Sequence, residues 1–133
     1  MTVVLDASAF LAYLFGEPGG EEVRDAIGGG ALISAVNWAE VLSKLADAGV
    51  EPGEAARRLA RERVLPGAVS VAAFDAAQAL EAARLRSSTR RVGLSLGDRA
   101  CLALGRVAGL EVLTAEASWA AVGLDAPRVV VIR

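Results

Sequence analysis

Short apolar runs separated by helical segments predict a three-layer α/β domain, a parallel sheet of about five strands flanked by helices on both faces. Two further observations support that class. The chain has 133 residues, enough for one hydrophobic core, so residues 1–133 are expected to form a single domain. It is 54% hydrophobic, and that much burial offsets chain entropy and excludes disorder. No internal repeat or low-complexity linker divides it.

Val3-Val4-Leu5 reads as the first strand, ended by Asp6. Ala7 to Phe15 reads as a helix with Ser8 as its N-cap, broken by Gly16-Glu17-Pro18-Gly19-Gly20. Glu21 to Ile27 is a short second helix, stopped by Gly28-Gly29-Gly30. Ala31 to Ser34 is the second strand, and Val36 to Ala48 a helix followed by Gly49. Pro52 starts a helix that runs through Arg57, Arg58, Arg61 and Arg63 to Leu65. Ala68 to Ala73 alternates weakly and is the third strand. Asp75 to Arg86 is an Ala-rich helix and Ser87 to Gly93 a basic polar loop. Asp98 to Ala108 is the next helix, ended by Gly109. Glu111 to Thr114 is the fourth strand, Glu116 to Val122 a short helix, and Arg128 to Ile132 the fifth strand.

The absence of histidine excludes a Ser-His-Asp triad, an HExxH zinc helix and imidazole acid–base catalysis. Cys101 is the only cysteine, so neither an intramolecular disulfide nor a multi-Cys zinc site is possible. No signal-peptide pattern and no apolar run of the roughly 18 residues needed to span a membrane is present. A cytoplasmic, membrane-free protein is expected. The net charge is −2, but its distribution is uneven. Residues 1–56 sum to −7 and residues 57–133 to +5, the cations of the second part being twelve arginines. Guanidinium groups match phosphate oxygens, although a solvated helix face accounts for the same residues.

Chemistry must therefore rest on carboxylates, hydroxyls, amides or arginine. Ligands of open parallel sheets bind at the carboxyl edge of the strands, so acids that follow strands are the candidates. Asp6 follows the first strand and Glu116 the fourth; Glu40 lies early in the helix after the second. Asp98 opens a helix after the apolar stretch Val92 to Leu96. Each has a structural alternative. Asp6 could cap a helix, and Ser95-Leu96-Gly97-Asp98 has the spacing of a capping box. Glu116 could complement a helix dipole with Thr114 as cap. Glu40 has Lys44 at i+4 and lies opposite the apolar face of Trp38, Val41, Leu42 and Leu45, which favours a solvated pair. If the four converge, their mutual repulsion demands protons or a cation. Hard oxygen ligands select Mg²⁺ or Mn²⁺, ions suited to phosphodiester cleavage by activated water.

Four segments carry a resemblance: Val3-Val4-Leu5-Asp6-Ala7-Ser8-Ala9, Asn37-Trp38-Ala39-Glu40-Val41, Leu94 to Leu104 (LSLGDRACLAL), and Leu113-Thr114-Ala115-Glu116. In order and spacing they resemble PIN-domain ribonucleases, above all the VapC toxins of toxin–antitoxin pairs. The resemblance implies a PIN-like three-layer fold and a Mg²⁺- or Mn²⁺-dependent endoribonuclease. It also implies neutralisation by a small cognate antitoxin, and a homodimer. Carried over, Asp6, Glu40, Asp98 and Glu116 are the catalytic acids, with Asp6, Asp98 and Glu116 toward the metal. Ser8, Asn37, Thr114 and Arg99 would support them. The resemblance points Glu40 at the site, against the wheel. Glu116 departs from the family's usual Asp, and its extra methylene moves the carboxylate outward by about 1.5 Å. Direct ligation by Asp6 and Asp98, with an indirect contribution from Glu116, is the expectation.

Arg84, Arg86, Arg90 and Arg91 flank the loop toward Asp98 and are the candidate RNA-backbone contacts. Trp38 and Trp119 could stack bases or pack the core. Phe10, Leu11, Leu14 and Phe15 are candidates for an interface. A phosphatase of the haloacid-dehalogenase type is disfavoured because Ser8 stands where a second Asp is needed. A receiver domain is disfavoured because no lysine follows Lys44. A catalytically weak or inactive relative that binds RNA or protein is the alternative, and Glu116 is the feature that favours it.

Overall fold

The computed structural model describes residues 2–133. Its five strands are β1 (Val3–Leu5), β2 (Ala31–Ser34), β3 (Val69–Ala72), β4 (Val112–Thr114) and β5 (Val129–Val131). They form one sheet in the order β3-β2-β1-β4-β5, every neighbouring pair parallel. The helices are α1 (Ala7–Phe15), α2 (Gly20–Ile27), α3 (Ala35–Asp47), α4 (Pro52–Arg61), α5 (Ala76–Thr89) and α6 (Leu96–Ala108). A 3₁₀ turn, Ala117–Ala121, links β4 to β5. The expected three-layer α/β architecture is present.

The two outer layers follow from alternation along the central strand. Val3 and Leu5 face a core built with Ala9 and Phe10 of α1, Val23 of α2, Val41 of α3 and Leu59 of α4. Val4 faces the other side, where Leu85 of α5, Leu102 of α6 and Trp119 complete a second core. All three residues of β1 are buried, as a strand covered on both faces requires. Trp119 is thereby a core residue, and Trp38 packs beside Phe10 with ring centroids 6.2 Å apart.

Several local expectations need correction. The N-cap of α1 is Asp6, not Ser8: the Asp6 side chain accepts from the Ala9 amide, and the Asp6 carbonyl accepts from Phe10 N. α4 stops at Arg61, because Arg63 takes a left-handed backbone conformation (φ 57°) and the turn Val64–Ala68 leads irregularly into β3. α5 runs through Ser87 to Thr89, three residues into the expected loop, where the Thr89 hydroxyl donates to the Leu85 carbonyl. α6 begins at Leu96, so Asp98 is its third residue and closes the capping box with Ser95.

The order β3-β2-β1 on one side and β4-β5 on the other makes the gap between β1 and β4 the point where the sheet's winding reverses. Crevices outside the carboxyl ends of strands form at such points. α6 is held close to the amino end of β4: a Cβ on Gly105 would lie 2.5 Å from Val112 Cγ2 and 3.1 Å from Pro127 Cβ. Gly105→Ala is therefore expected to destabilise the fold by about 1–3 kcal/mol through overpacking. A thermal melt should show Tm lowered by several degrees; an unchanged Tm would contradict this close approach.

Candidate active site

Asp6 stands at the carboxyl end of β1, where its amide still donates to the Leu113 carbonyl of β4 (3.1 Å). Its carboxylate is 4% exposed and organised from two strands. Oδ1 accepts from Ala9 N (2.8 Å) and Oδ2 from Thr114 Oγ1 (2.6 Å), while Ser8 Oγ lies 2.8 and 2.9 Å from the two oxygens. Ser8 Oγ in turn accepts from Ala115 N (2.9 Å), and Thr114 Oγ1 from Glu116 N (3.0 Å). The hydroxyls of Ser8 and Thr114 thus stitch the ends of β1 and β4 together around one carboxylate. Burial pushes the Asp6 carboxyl up to about 6, against the lowering effect of these hydrogen bonds, and the charge of Asp98 adds to the rise.

α3 and α6 supply the opposite wall. Asn37 is buried, and its Nδ2 donates to Glu40 Oε1 (2.8 Å) and to the Gly97 carbonyl at the start of α6 (3.0 Å). Its Oδ1 is buried without a partner. Gly97 leaves the room that Glu40 occupies: a Cβ there would lie 2.7 Å from Glu40 Oε2. Asp98 Oδ2 accepts from Ser95 N (2.9 Å), the capping-box contact.

Asp6, Glu40, Asp98 and Glu116 all line one cleft of about 240 Å³, together with Ser8, Asn37 and Lys44. Four acids far apart in sequence therefore gather at one sheet edge. The field they create reaches Cys101, fully buried in α6. Its thiol is pushed up, first by burial and then by Asp6, Asp98 and Glu40. The wheel and the resemblance are reconciled at Glu40: the side chain is exposed to solvent, and the solvent it meets is that of the cleft. The expected ion pair between Glu40 and Lys44 does not form within 4.0 Å; Glu40 turns to Asn37 instead.

The arginines lie elsewhere. Arg99 is buried away from the cleft lining, its Nη1 donating to the Ala82 carbonyl of α5 (2.9 Å) and its Nε unpartnered. It is not exposed for phosphate contact, because its guanidinium is spent tying α6 to α5. Arg84 and Arg86 lie on α5, and Arg90 and Arg91 just after it; all four are exposed and none lines the cleft. Arg84 pairs with Glu81 at 3.4 Å. Lys44 lines the cleft and Gly97 makes room in it for Glu40, and neither was a site candidate from the sequence. Only the Gly97-Asp98 dipeptide at a helix start carried a signal for one of them.

The donor chemistry fits a hard divalent cation: carboxylate and hydroxyl oxygens, an orphaned amide oxygen, and no imidazole or thiolate facing the cleft. Among the described residues no group of three or more His, Cys, Asp or Glu side chains is disposed as a ready-made cage. The reason is visible, since Asp98 and Glu40 are each turned into a local hydrogen bond.

The model of the PIN domain family matches residues 3–124, and the chain belongs to that family. Solved structures from toxin–antitoxin pairs share its fold. A toxin–antitoxin complex from Klebsiella pneumoniae superposes with a TM-score of 0.68 at 20% identity, covering 98% of each chain. DNA-bound VapBC from Salmonella typhimurium gives 0.71 at 14% identity, covering 100% of this chain and 99% of that one. Mycobacterium tuberculosis VapC20, described as a sarcin–ricin loop cleaving toxin, gives 0.69 at 17% identity, covering 95% and 98%. A comparison with curated protein sequences finds no match.

The burial of Asp6 has a measurable consequence. Its folded-state value, about 6, exceeds its ordinary 3.8, so the folded chain binds this proton more tightly than the unfolded chain. The resulting stabilisation is complete below about pH 4 and is lost as pH rises through about 6, on the order of 3 kcal/mol. Asp6→Asn removes that dependence. In chelator, the difference in unfolding free energy between wild type and Asp6→Asn should shift in the variant's favour between about pH 4 and pH 7. A pH-independent difference would contradict a buried, uncompensated carboxylate.

Proposed function

We propose that the protein is a Mg²⁺- or Mn²⁺-dependent endoribonuclease of the VapC type. The observation that carries this reading is the convergence of Asp6, Glu40, Asp98 and Glu116 on one cleft at the reversal point of the sheet. A bound divalent ion supplies a Lewis acid and an activated water for in-line attack on a phosphodiester. Asp6 and Asp98 would hold it. Asp6 is fixed in orientation by Ser8, Thr114 and the Ala9 amide, so its ligating geometry is set before any ion arrives. Asn37 holds Glu40 over the cleft, where its carboxylate can accept a proton from water. Glu116 is exposed and carries no side-chain hydrogen bond that fixes it, which suits an indirect contribution.

A cognate antitoxin is part of the same proposal, supported by the toxin–antitoxin complexes among the structural neighbours. The surface that suits it is a groove of about 260 Å³ lined by Leu14, Phe15, Leu45, Val50, Leu59 and neighbouring charges. It is open and largely apolar, as a groove for an amphipathic helix is. A homodimer accompanies the reading, with light scattering on the purified chain as its check. No helix among the described residues is long and apolar enough to cross a membrane.

Purified, antitoxin-free protein should cut single-stranded or structured RNA with Mg²⁺ or Mn²⁺ and not with chelator. Asp98→Asn should lower the rate by about a hundredfold or more, and Glu116→Ala by about tenfold or less. Asp6→Ala should lose more than Glu116→Ala. RNA binding without metal-dependent scission would instead favour a non-cutting binding module.

A further inference from the structure

A second cavity adjoins the carboxylate cleft. It is an open hollow of about 490 Å³ that shares Ser8, Leu11, Lys44 and Glu116 with the cleft, so the two are continuous across those residues. Its size is that of a small-ligand pocket. Leu11, Phe15 and Ala48 give it an apolar floor, and Phe15 is half exposed.

Its charges are arranged unequally. Glu17 and Asp47 contribute acids, and Arg133 contributes a guanidinium already bound to Glu17 (3.0 Å) and to the Pro18 carbonyl (2.9 Å). Lys44 is the only other cation in either cavity, and it forms no ion pair within 4.0 Å although carboxylates surround it. Asn37, Glu40 and Lys44 follow one another at intervals of three and four residues, so they descend one face of α3 from the carboxylate cleft to the outer cavity. An ammonium with no partner, at the passage between a nuclease-like cleft and a nucleotide-sized hollow, suits a mobile anion.

We propose that the outer cavity is a nucleotide subsite: Lys44 takes the phosphodiester next to the scissile one, and Phe15 takes the adjoining base on its exposed face. The assignment rests on the ribonuclease reading above and extends it to the path of the strand. The phosphate meets the one uncommitted cation, and the base stacks on the exposed face of Phe15, a contact that every base can make.

The test is fluorescence anisotropy of a short labelled single-stranded RNA on the Asp98→Asn protein in Mg²⁺, so that affinity is read whether or not the wild type cleaves. Lys44→Met, which keeps the aliphatic stem, should weaken binding by about tenfold and make the log–log salt dependence shallower by about 0.7. Lys44→Arg should restore most of the affinity. Phe15→Ala should weaken binding by roughly five- to a hundredfold with the salt slope unchanged. Unaltered affinity in either variant would overturn the subsite, as would a loss in Lys44→Met with an unaltered slope. A tighter Mn²⁺ titration together with unaltered RNA affinity in Lys44→Met would assign the lysine to carboxylate neutralisation alone, and also overturn it. Failure of the wild type to cleave any RNA would count against the ribonuclease reading, separately from these binding results.

Discussion

A carboxylate kept out of water at the end of the central strand is the constraint around which the molecule is arranged. Asp6 is 4% exposed, and burying its charge is costly unless hydrogen bonds and a counter-charge compensate. The hydrogen bonds are supplied locally by Ser8 and the Ala9 amide, and across the sheet by Thr114. The counter-charge is not. The one lysine in the cleft makes no ion pair, and burial, with the charge of Asp98 adding to it, pushes the carboxyl up to about 6. At neutral pH the site is therefore destabilised in a manner that a divalent cation would relieve, and a folded chain that tolerates this cost has a physical reason to bind one.

The convergence of distant acids follows from strand order rather than from any single motif. β1 leads outward to β2 and β3, and the chain then returns to place β4 on the other flank of β1. The first and fourth strands consequently end side by side, with Leu5 opposite Leu113. Asp6 and Thr114 are the next residues in register, which explains why a 2.6 Å contact spans 108 positions in sequence. The remaining wall requires α3 and α6 to meet above the sheet edge, and the Asn37 bond to the Gly97 carbonyl ties them there. The missing Cβ of Gly97 is what lets the Glu40 carboxylate lie between the two helices.

How much of this was legible in the sequence depends on the range of the interaction involved. Strands and helices were, because buried runs such as Val3-Val4-Leu5 and caps such as Ser95 with Asp98 announce themselves within a few residues. The acids were legible as candidates from their positions after strands. The side chain that caps α1 was mistaken by two residues: the helix starts at Ala7, so Asp6 precedes it and accepts from Ala9 N, while Ser8 lies within its first turn. Glu40 was ambiguous because a helical wheel shows which face avoids the core and is silent on whether that face meets bulk water or a cleft. Arg99 was expected to support the acids from its place beside Asp98, yet α5 covers it and accepts from its Nη1 at the Ala82 carbonyl. The packing of α5 on α6 is a tertiary fact that no spacing records.

The placement of positive charge gives the fold a particular electrostatic problem. The cleft gathers acids, while the exposed arginines Arg84, Arg86, Arg90 and Arg91 stand on or just after α5 and outside its lining. A polyanion approaching the cleft without a metal meets repulsion at short range, and the arginines can attract it only from the periphery, within about a Debye length of 8–10 Å at ordinary salt. On the proposed function, binding to the cleft depends on cations located in the cleft itself, which are Lys44 and the divalent ion that the acids would hold. On the ribonuclease reading, the lysine needs to be unpaired for this purpose. An ammonium engaged by Glu40 would add little to phosphate attraction, and Glu40 is bonded to Asn37 rather than to Lys44. One turn of α3 thus presents an acid to the cleft through Asn37, and the next carries a cation that stands without an ion partner within 4.0 Å.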